Sequence, residues 1–280
     1  MAPPRRDTKG IVDARELFAR VDFRRREPAE ALRPYLEHYW LIDWDLTEPY
    51  ASNVVPHPSV NLVFQRYTGT APFGEVAGID PHLFTKKLEH RGRVCGITFR
   101  AGGFRPFAPG RAVAEWTGRY VPLGEAFPDR ADAMAAAVGL VLGPDDEDAR
   151  VAALDAFLLT LGPHGRGPEP DQQADLAMTL ADRIRTDPAI RRVSEFAEAE
   201  GMSVRAMQRL FAEYVGVGPK WIILRRRIHE ALERAETRSD VDWAGLAADL
   251  GYADQAHLVR DFTATVGVPP TAYAPGANRR

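Results

Sequence analysis

The 280-residue chain has one cysteine, Cys95, so it cannot close an internal disulfide and its core must hold without one. Crossing a bilayer takes roughly 20 consecutive apolar residues. The longest apolar run here, around Ala135–Leu142, is far too short. The opening residues, MAPPRRDTKG, are charged and no apolar stretch comes after them, so no secretory signal is expected. These absences give the expectation of a cytoplasmic protein with no membrane partner. Positive charge is not in surplus either: 36 Lys and Arg stand against 39 Asp and Glu, a formal net charge of −3. From Ala174 to the end the two signs balance, 15 against 15. Bulk attraction to a polyanion is therefore excluded, and any contact with nucleic acid must come from cations gathered on one face.

Catalytic patterns are also scarce. His57 and His82 are isolated, with no His-x-His or Glu-xx-His spacing to hold a metal. Gly102-Gly103 is not succeeded by Gly-Lys-Ser, so it is a turn and not a phosphate loop. Cys95 sits in Val-Cys-Gly-Ile among apolar neighbours, which suits a buried inert thiol. No catalytic residue, metal or cofactor is expected.

The residues that are present divide the chain. Residues 1–30 are polar and arginine-rich, an arm leading into a short helix expected near Ala29–Tyr39. The runs at 39–44, 60–64 and 94–99 are short, β-prone and bounded by Pro, Gly and Asn. A helix is expected at Arg130–Leu142, and another after Pro144, where Asp145, Asp146, Glu147 and Asp148 favour the positive end of a helix dipole. The Gly/Pro-rich stretch at 162–173 reads as a linker between a β-rich domain (1–161) and a helical domain (174–280), an α+β chain overall. In the first domain Trp40, Trp44, His57, Asn61 and Arg100 are candidates to line a small-molecule pocket. The commoner fates are core aromatics, a proline-bracketed structural histidine beside Asn61, and a rim charge. Asp43, Asp45 and Glu48 alternate as on a solvated strand face.

The second domain contains one pattern twice. Phe196-Ala197 precedes Gly201, and Leu246-Ala247 precedes Gly251, at the same interval. The alanines and glycines are 50 residues apart, whereas Arg209/Arg260, Phe211/Phe262, Gly216/Gly267 and Pro219/Pro270 are 51 apart, so the second turn is one residue longer. Two helices meeting sharply need a small residue where they press together and one tolerant of positive φ where the chain turns. Ser203 and Asp254 are placed to cap the helices that begin just after them. On the first of these, residues 205, 208 and 209 share one side while Met207, Leu210, Phe211 and Tyr214 turn to the core. The segment Pro219–Glu236 reads as a connecting helix of about 27 Å at 1.5 Å per residue. Arg225, Arg226 and Arg227 form a basic step on it, as phosphate contacts or as a solvated face paired with Glu230 and Glu233.

The words VSEFAEAEGMSVRAMQRLFAEYVGVGPKW and WAGLAADLGYADQAHLVRDFTATVGVPPTAY resemble the C-terminal domain of AraC/XylS-type transcription regulators, over Ala174 to Ala274. The resemblance implies about seven helices, with two helix-turn-helix units placed in neighbouring major-groove segments of double-stranded DNA. It also implies RNA polymerase as a partner, and leaves a homodimer open. Carried over by position, Ser203, Arg205, Gln208 and Arg209 face the groove in the first unit, Gln255, Ala256, His257 and Arg260 in the second, and Arg227 stands where the family has an arginine. Arginine can bond guanine bidentately, glutamine can bond adenine, and Ala256 offers only apolar contact to a thymine methyl. The words EHYWLIDWDL, VVPHPSVNLVFQ, RGRVCGITFRAGGFRPF and VPLGEAF resemble a sensor-like domain of an actinobacterial-type branch of the same family, which implies a barrel or cupin-like fold and a small-molecule effector. The expected function is a sequence-specific DNA-binding transcription regulator. The alternative is a DNA-directed enzyme of alkyl-transfer or small-molecule type, although Cys95 lacks the Pro-Cys-His setting of alkyl-transfer repair proteins.

Overall fold

The computed structural model describes residues 10–12, 14–163, 171–237 and 241–273. The N-terminal half is built on an antiparallel sheet of seven strands: β1 (Ile11–Val12), β2 (Asp22–Arg26), β3 (Leu36–Val54), β4 (Asn61–Tyr67), β5 (Phe73–Ala77), β6 (Phe84–Phe99) and β7 (Tyr120–Pro122). Their order is β1-β3-β6-β4-β5-β7, with β2 also paired to β3. Strands β3 and β6 form the spine, paired from Leu36↔Phe99 to Val54↔Phe84, and the register slips between Leu46 and Tyr50. Pro49 lies in that interval and has no N–H for a ladder. The end strands β1 and β7 are not paired with each other among the described residues.

Both faces of the sheet are apolar, by the period-two alternation of a strand. Tyr39, Leu41, Leu62, Phe64, Cys95, Ile97 and Phe99 join one core, together with residues of α3 (Ala131–Leu142) and α4 (Glu147–Leu161). Trp44, Val63 and Val94 join another, with Ala14 and Leu17 of α1 (Ala14–Arg20). A short helix α2 (Leu123–Ala126) leads towards α3. The helix expected near Ala29–Tyr39 is only a 3-10 turn, Glu30–Leu32, before β3 begins at Leu36. The helix-prone Glu-Ala-Leu stops short of Pro34, and pairing with β6 claims the residues from Leu36 onward.

The C-terminal half consists of α5 (Gln172–Thr186), α6 (Val193–Ala199), α7 (Val204–Tyr214), α8 (Pro219–Thr237), α9 (Trp243–Asp249), α10 (Gln255–Val266) and α11 (Pro270–Tyr273). Of the expected linker at 162–173, residues 164–170 lie outside the described ones. The apolar core is continuous between the halves: Ile79, Val113 and Trp116 belong to the same cluster as Met207, Phe211 and Val215. At this seam Gly216 has φ +96°, and a β-carbon there would lie 2.9 Å from Val113 Cγ1. Only glycine serves both the backbone angle and the contact. Polar ties flank this seam. Arg100 pairs with Asp182, Arg185 with Glu37 at 2.5 Å, Arg105 with Glu213 at 2.7 Å, and the Thr117 hydroxyl donates to the Gly216 carbonyl at 2.9 Å. A separate cluster gathers Ile228, Leu246, Leu258 and Phe262, and it too takes in Val12 and Val55 from the N-terminal half.

Candidate nucleic-acid interface

The duplicated pattern becomes two helix-turn-helix units with matching backbone. In the first, the Met202 amide donates to the Ala197 carbonyl at 2.8 Å, around Gly201 at φ +65°. In the second, the Tyr252 amide donates to the Ala247 carbonyl at 2.8 Å, around Gly251 at φ +75°. This is the six-to-one bond of a helix ending in a left-handed residue, which is why glycine recurs at each turn. Ala197 and Ala247 are buried at the junctions. The longer second turn is visible as Ala253, inserted before Asp254.

Each second helix has an oxygen cap. Ser203 Oγ accepts from the Ala206 amide at 3.1 Å, and Asp254 Oδ1 accepts from the His257 amide at 2.7 Å. On α7 the buried side chains are Met207, Leu210 and Phe211, while Arg205, Gln208 and Arg209 are exposed. On α10 Leu258, Phe262, Thr265 and Val266 are buried, while Gln255, Ala256 and Arg260 are exposed. His257 is half-buried, with its ring edge-on to Tyr252 at 5.1 Å between centroids and Nε2 3.8 Å from Asp261 Oδ2. It is thus held by its own unit as well as placed beside the exposed face.

The basic step on α8 is bonded within the protein. Arg227 is only 8 % exposed; it donates to the Arg191 carbonyl at 3.2 Å and lies over the Tyr252 ring. Arg226 donates to the carbonyls of Ile184, Asp187 and Ile190, and Arg225 to the Thr265 hydroxyl and, at 2.5 Å, to the Pro81 carbonyl. Burial pulls the pKa of all three guanidinium groups below the usual arginine range. In this structure they fasten helices and loops of their own chain, Arg227 the most deeply buried of the three.

The five ligand candidates separate. Trp40 lies across Gly96, with Nε1 3.5 Å from Asn61 Oδ1; that oxygen also accepts from the Thr98 hydroxyl at 2.7 Å. Trp40 and Asn61 therefore share one face of the sheet. Trp44 is a core residue, buried over Gly92, with its indole N–H on the Glu89 carbonyl at 3.2 Å. Arg100 is a seam residue, tied to Asp182 and, at 3.2 Å, to the Pro34 carbonyl. His57 is also at the seam. Its ring stacks on His229 of α8 with centroids 4.3 Å apart. Glu37, Asp182, Arg185, Arg105 and Glu213, which join the halves, carry no short-range sequence signal. Their partners lie between 82 and 148 residues away.

Cys95 is fully buried, and burial pushes its thiol up to about 11, unfit to be a nucleophile near neutrality. Among the described residues no group of three His, Cys, Asp or Glu side chains is arranged to hold a metal ion, and no helix is long and apolar enough to cross a membrane.

Residues 196–275 match the family model of a helix-turn-helix domain, and residues 24–122 match that of a domain of unknown function (DUF6597). No curated protein matches the chain significantly. Among solved structures, apo ToxT K231A from Vibrio cholerae strain SCE256 is 13% identical over 89% of this chain and 98% of that one, with a TM-score of 0.40. ToxT from Vibrio cholerae O395 is 11% identical over 90% and 95%, with a TM-score of 0.37. Unsaturated fatty acid-bound wild-type ToxT from strain SCE256 is 12% identical over 93% and 94%, with a TM-score of 0.38. By its doubled unit and by the family match, the chain carries at residues 196–275 an AraC-type helix-turn-helix DNA-binding domain, preceded at 24–122 by a domain of the DUF6597 family.

Proposed function

We propose that this protein is a sequence-specific transcription regulator that reads two successive major-groove segments with α7 and α10. The observation that carries the reading is the pair of capped helices, each with an apolar side locked into its unit and a polar side left in solvent. In this reading Arg205, Gln208 and Arg209 read one half-site, and Gln255, Ala256, His257 and Arg260 the other, in the cytoplasm, at a promoter shared with RNA polymerase. A second copy of the chain is a further partner the reading allows. Residues 1–161 act as the sensing domain and 174–280 as the reading domain. The effector's place is the sheet face that carries Trp40 and Asn61, where an aromatic ring and an amide stand together.

Arg209→Ala is the direct test. The substitution removes an exposed side chain and leaves the buried face of α7 intact. Specific binding should weaken by about 1–3 kcal/mol and preference should relax at one base pair. Binding-site selection with both proteins reads this out. An equal loss on every sequence would make Arg209 a phosphate contact.

A further inference from the structure

The two turns, so alike in backbone, differ in what lies across them. At Gly201 an added β-carbon would meet nothing within 4 Å. At Gly251 it would meet Arg191 Cδ at 3.1 Å and an Arg227 nitrogen at 3.4 Å. Arg191 belongs to the short connection between α5 and α6, before the first unit begins. Its guanidinium donates at 2.9 Å to the carbonyl of Asp249, the last residue of α9 in the second unit. The final carbonyls of a helix lack partners within it, and an arginine side chain can bond them.

The connection holding Arg191 is itself pinned. Arg226 bonds the carbonyls of Asp187 and Ile190, and Arg227 bonds the carbonyl of Arg191. Both arginines come from α8, the helix that joins the units. A circuit therefore runs from α8 to the 187–191 connection and from there to the end of α9. It links the start of the first unit to the turn of the second without touching either exposed recognition face.

We infer that Arg191 is a positioning residue that fixes the angle between the two helix-turn-helix units, and so sets the separation at which two half-sites are read together. The inference rests on the proposed reading of DNA by both units. Two rigid bodies on one duplex tolerate only the spacing their mutual angle permits, because any other spacing requires the DNA to bend or twist. Freeing one end of the bracket widens the tolerated range and weakens binding at the optimum.

The test uses the full chain and duplexes obtained by selection with it, rebuilt as a series in which the half-site separation changes one base pair at a time. The wild type should show a sharp optimum. Arg191→Ala should bind about fivefold to tenfold more weakly at that optimum, the loss of one solvent-exposed clamping hydrogen bond of ordinary net strength. It should lose much less one base pair away, with the preferred sequence of each half-site unchanged. Arg191→Lys, which can still reach a carbonyl, should restore part of the optimum. Arg192→Ala, next door and paired with Glu195, should match the wild type. Equal weakening of Arg191→Ala at every spacing, with a shallower salt dependence, would make Arg191 a phosphate contact and overturn the inference. An unchanged profile, or a wild type indifferent to spacing, would also overturn it. A wild type that selects no sequence at all would instead defeat the regulator reading itself.

Discussion

Replacing Asp43 with alanine should cost the fold about 3–5 kcal/mol, because it strands a buried guanidinium. Asp43 lies on β3, and three arginines converge on it. Arg93 Nε donates to Oδ1 at 2.6 Å, Arg150 donates to Oδ2 at 2.9 Å, and Arg24 donates to Oδ2 as well. These partners come from β6, α4 and β2, so one carboxylate ties the sheet to the helix that covers it. Arg93 and Arg24 have further acceptors, in the Pro144 carbonyl at 2.8 Å and Glu147 at 3.2 Å. Arg150 is only 2 % exposed, and Asp43 is its carboxylate partner. Urea denaturation of Asp43→Ala against the wild type measures the loss. A cost below about 1 kcal/mol would mean that water reaches Arg150 and that the pair behaves as a surface one.

The same cluster fixes the sign of an acid effect. Burial of Asp43 favours its neutral form, but the hydrogen bonds from Arg93 and Arg150 outweigh it and hold the carboxyl below its ordinary range. Its contribution is therefore complete above the unfolded value of about 3.9 and is lost as pH falls through the lower folded value. Asp43→Asn should flatten the fall of stability below about pH 4, with no change in slope near neutrality.

This cluster also marks the limit of what a sequence discloses. The alternation of Asp43, Asp45 and Glu48 correctly indicates a strand, yet the solvated fate expected for Asp43 fails, because its buried partner Arg150 is 107 residues away. The helix-turn-helix units were legible because their determinants are local. The small residue, the left-handed glycine, the capping oxygen and the apolar spacing all act within a few residues, and duplication makes chance agreement improbable. The arginines of α8 obey no such rule. Their acceptors are mostly backbone carbonyls, which any residue type supplies, 36 to 42 positions upstream for Arg226 and Arg227. Of the ligand candidates, Trp40 and Asn61 were brought together by strand pairing, whereas His57 and Arg100 were drawn to a seam whose other side belongs to the C-terminal half.

That seam leads to the second large effect: Val113→Asp should destabilise the whole chain by at least about 3 kcal/mol and weaken operator binding, although Val113 lies outside both recognition helices. Val113 is 2 % exposed, belongs to the core shared by the sheet and the first unit, and faces Gly216 just beyond α7. A carboxyl there replaces an apolar contact and is held out of water, neutral or charged at a cost, and opening the seam to solvent relieves it. The N-terminal half shares a core with the second unit too, through Val12 and Val55, and holds the joining helix α8 by the Pro81 carbonyl that accepts from Arg225. It therefore acts as a splint across both units, and parting the seam removes one of the braces that hold them, leaving α8 and the Arg191 bracket. Wild-type protein should unfold as one calorimetric transition, and Val113→Asp should lower or divide it. Val63→Asp, on the core under the opposite sheet face, is the comparison, because it should destabilise the sheet while leaving the seam closed. Operator affinity under native conditions should then fall for Val113→Asp and stay near wild type for Val63→Asp wherever each remains folded. Unchanged affinity in Val113→Asp, or two independent transitions in the wild type, would show that the halves ride separately and that a signal held by the sheet reaches the reading helices by some route other than this seam.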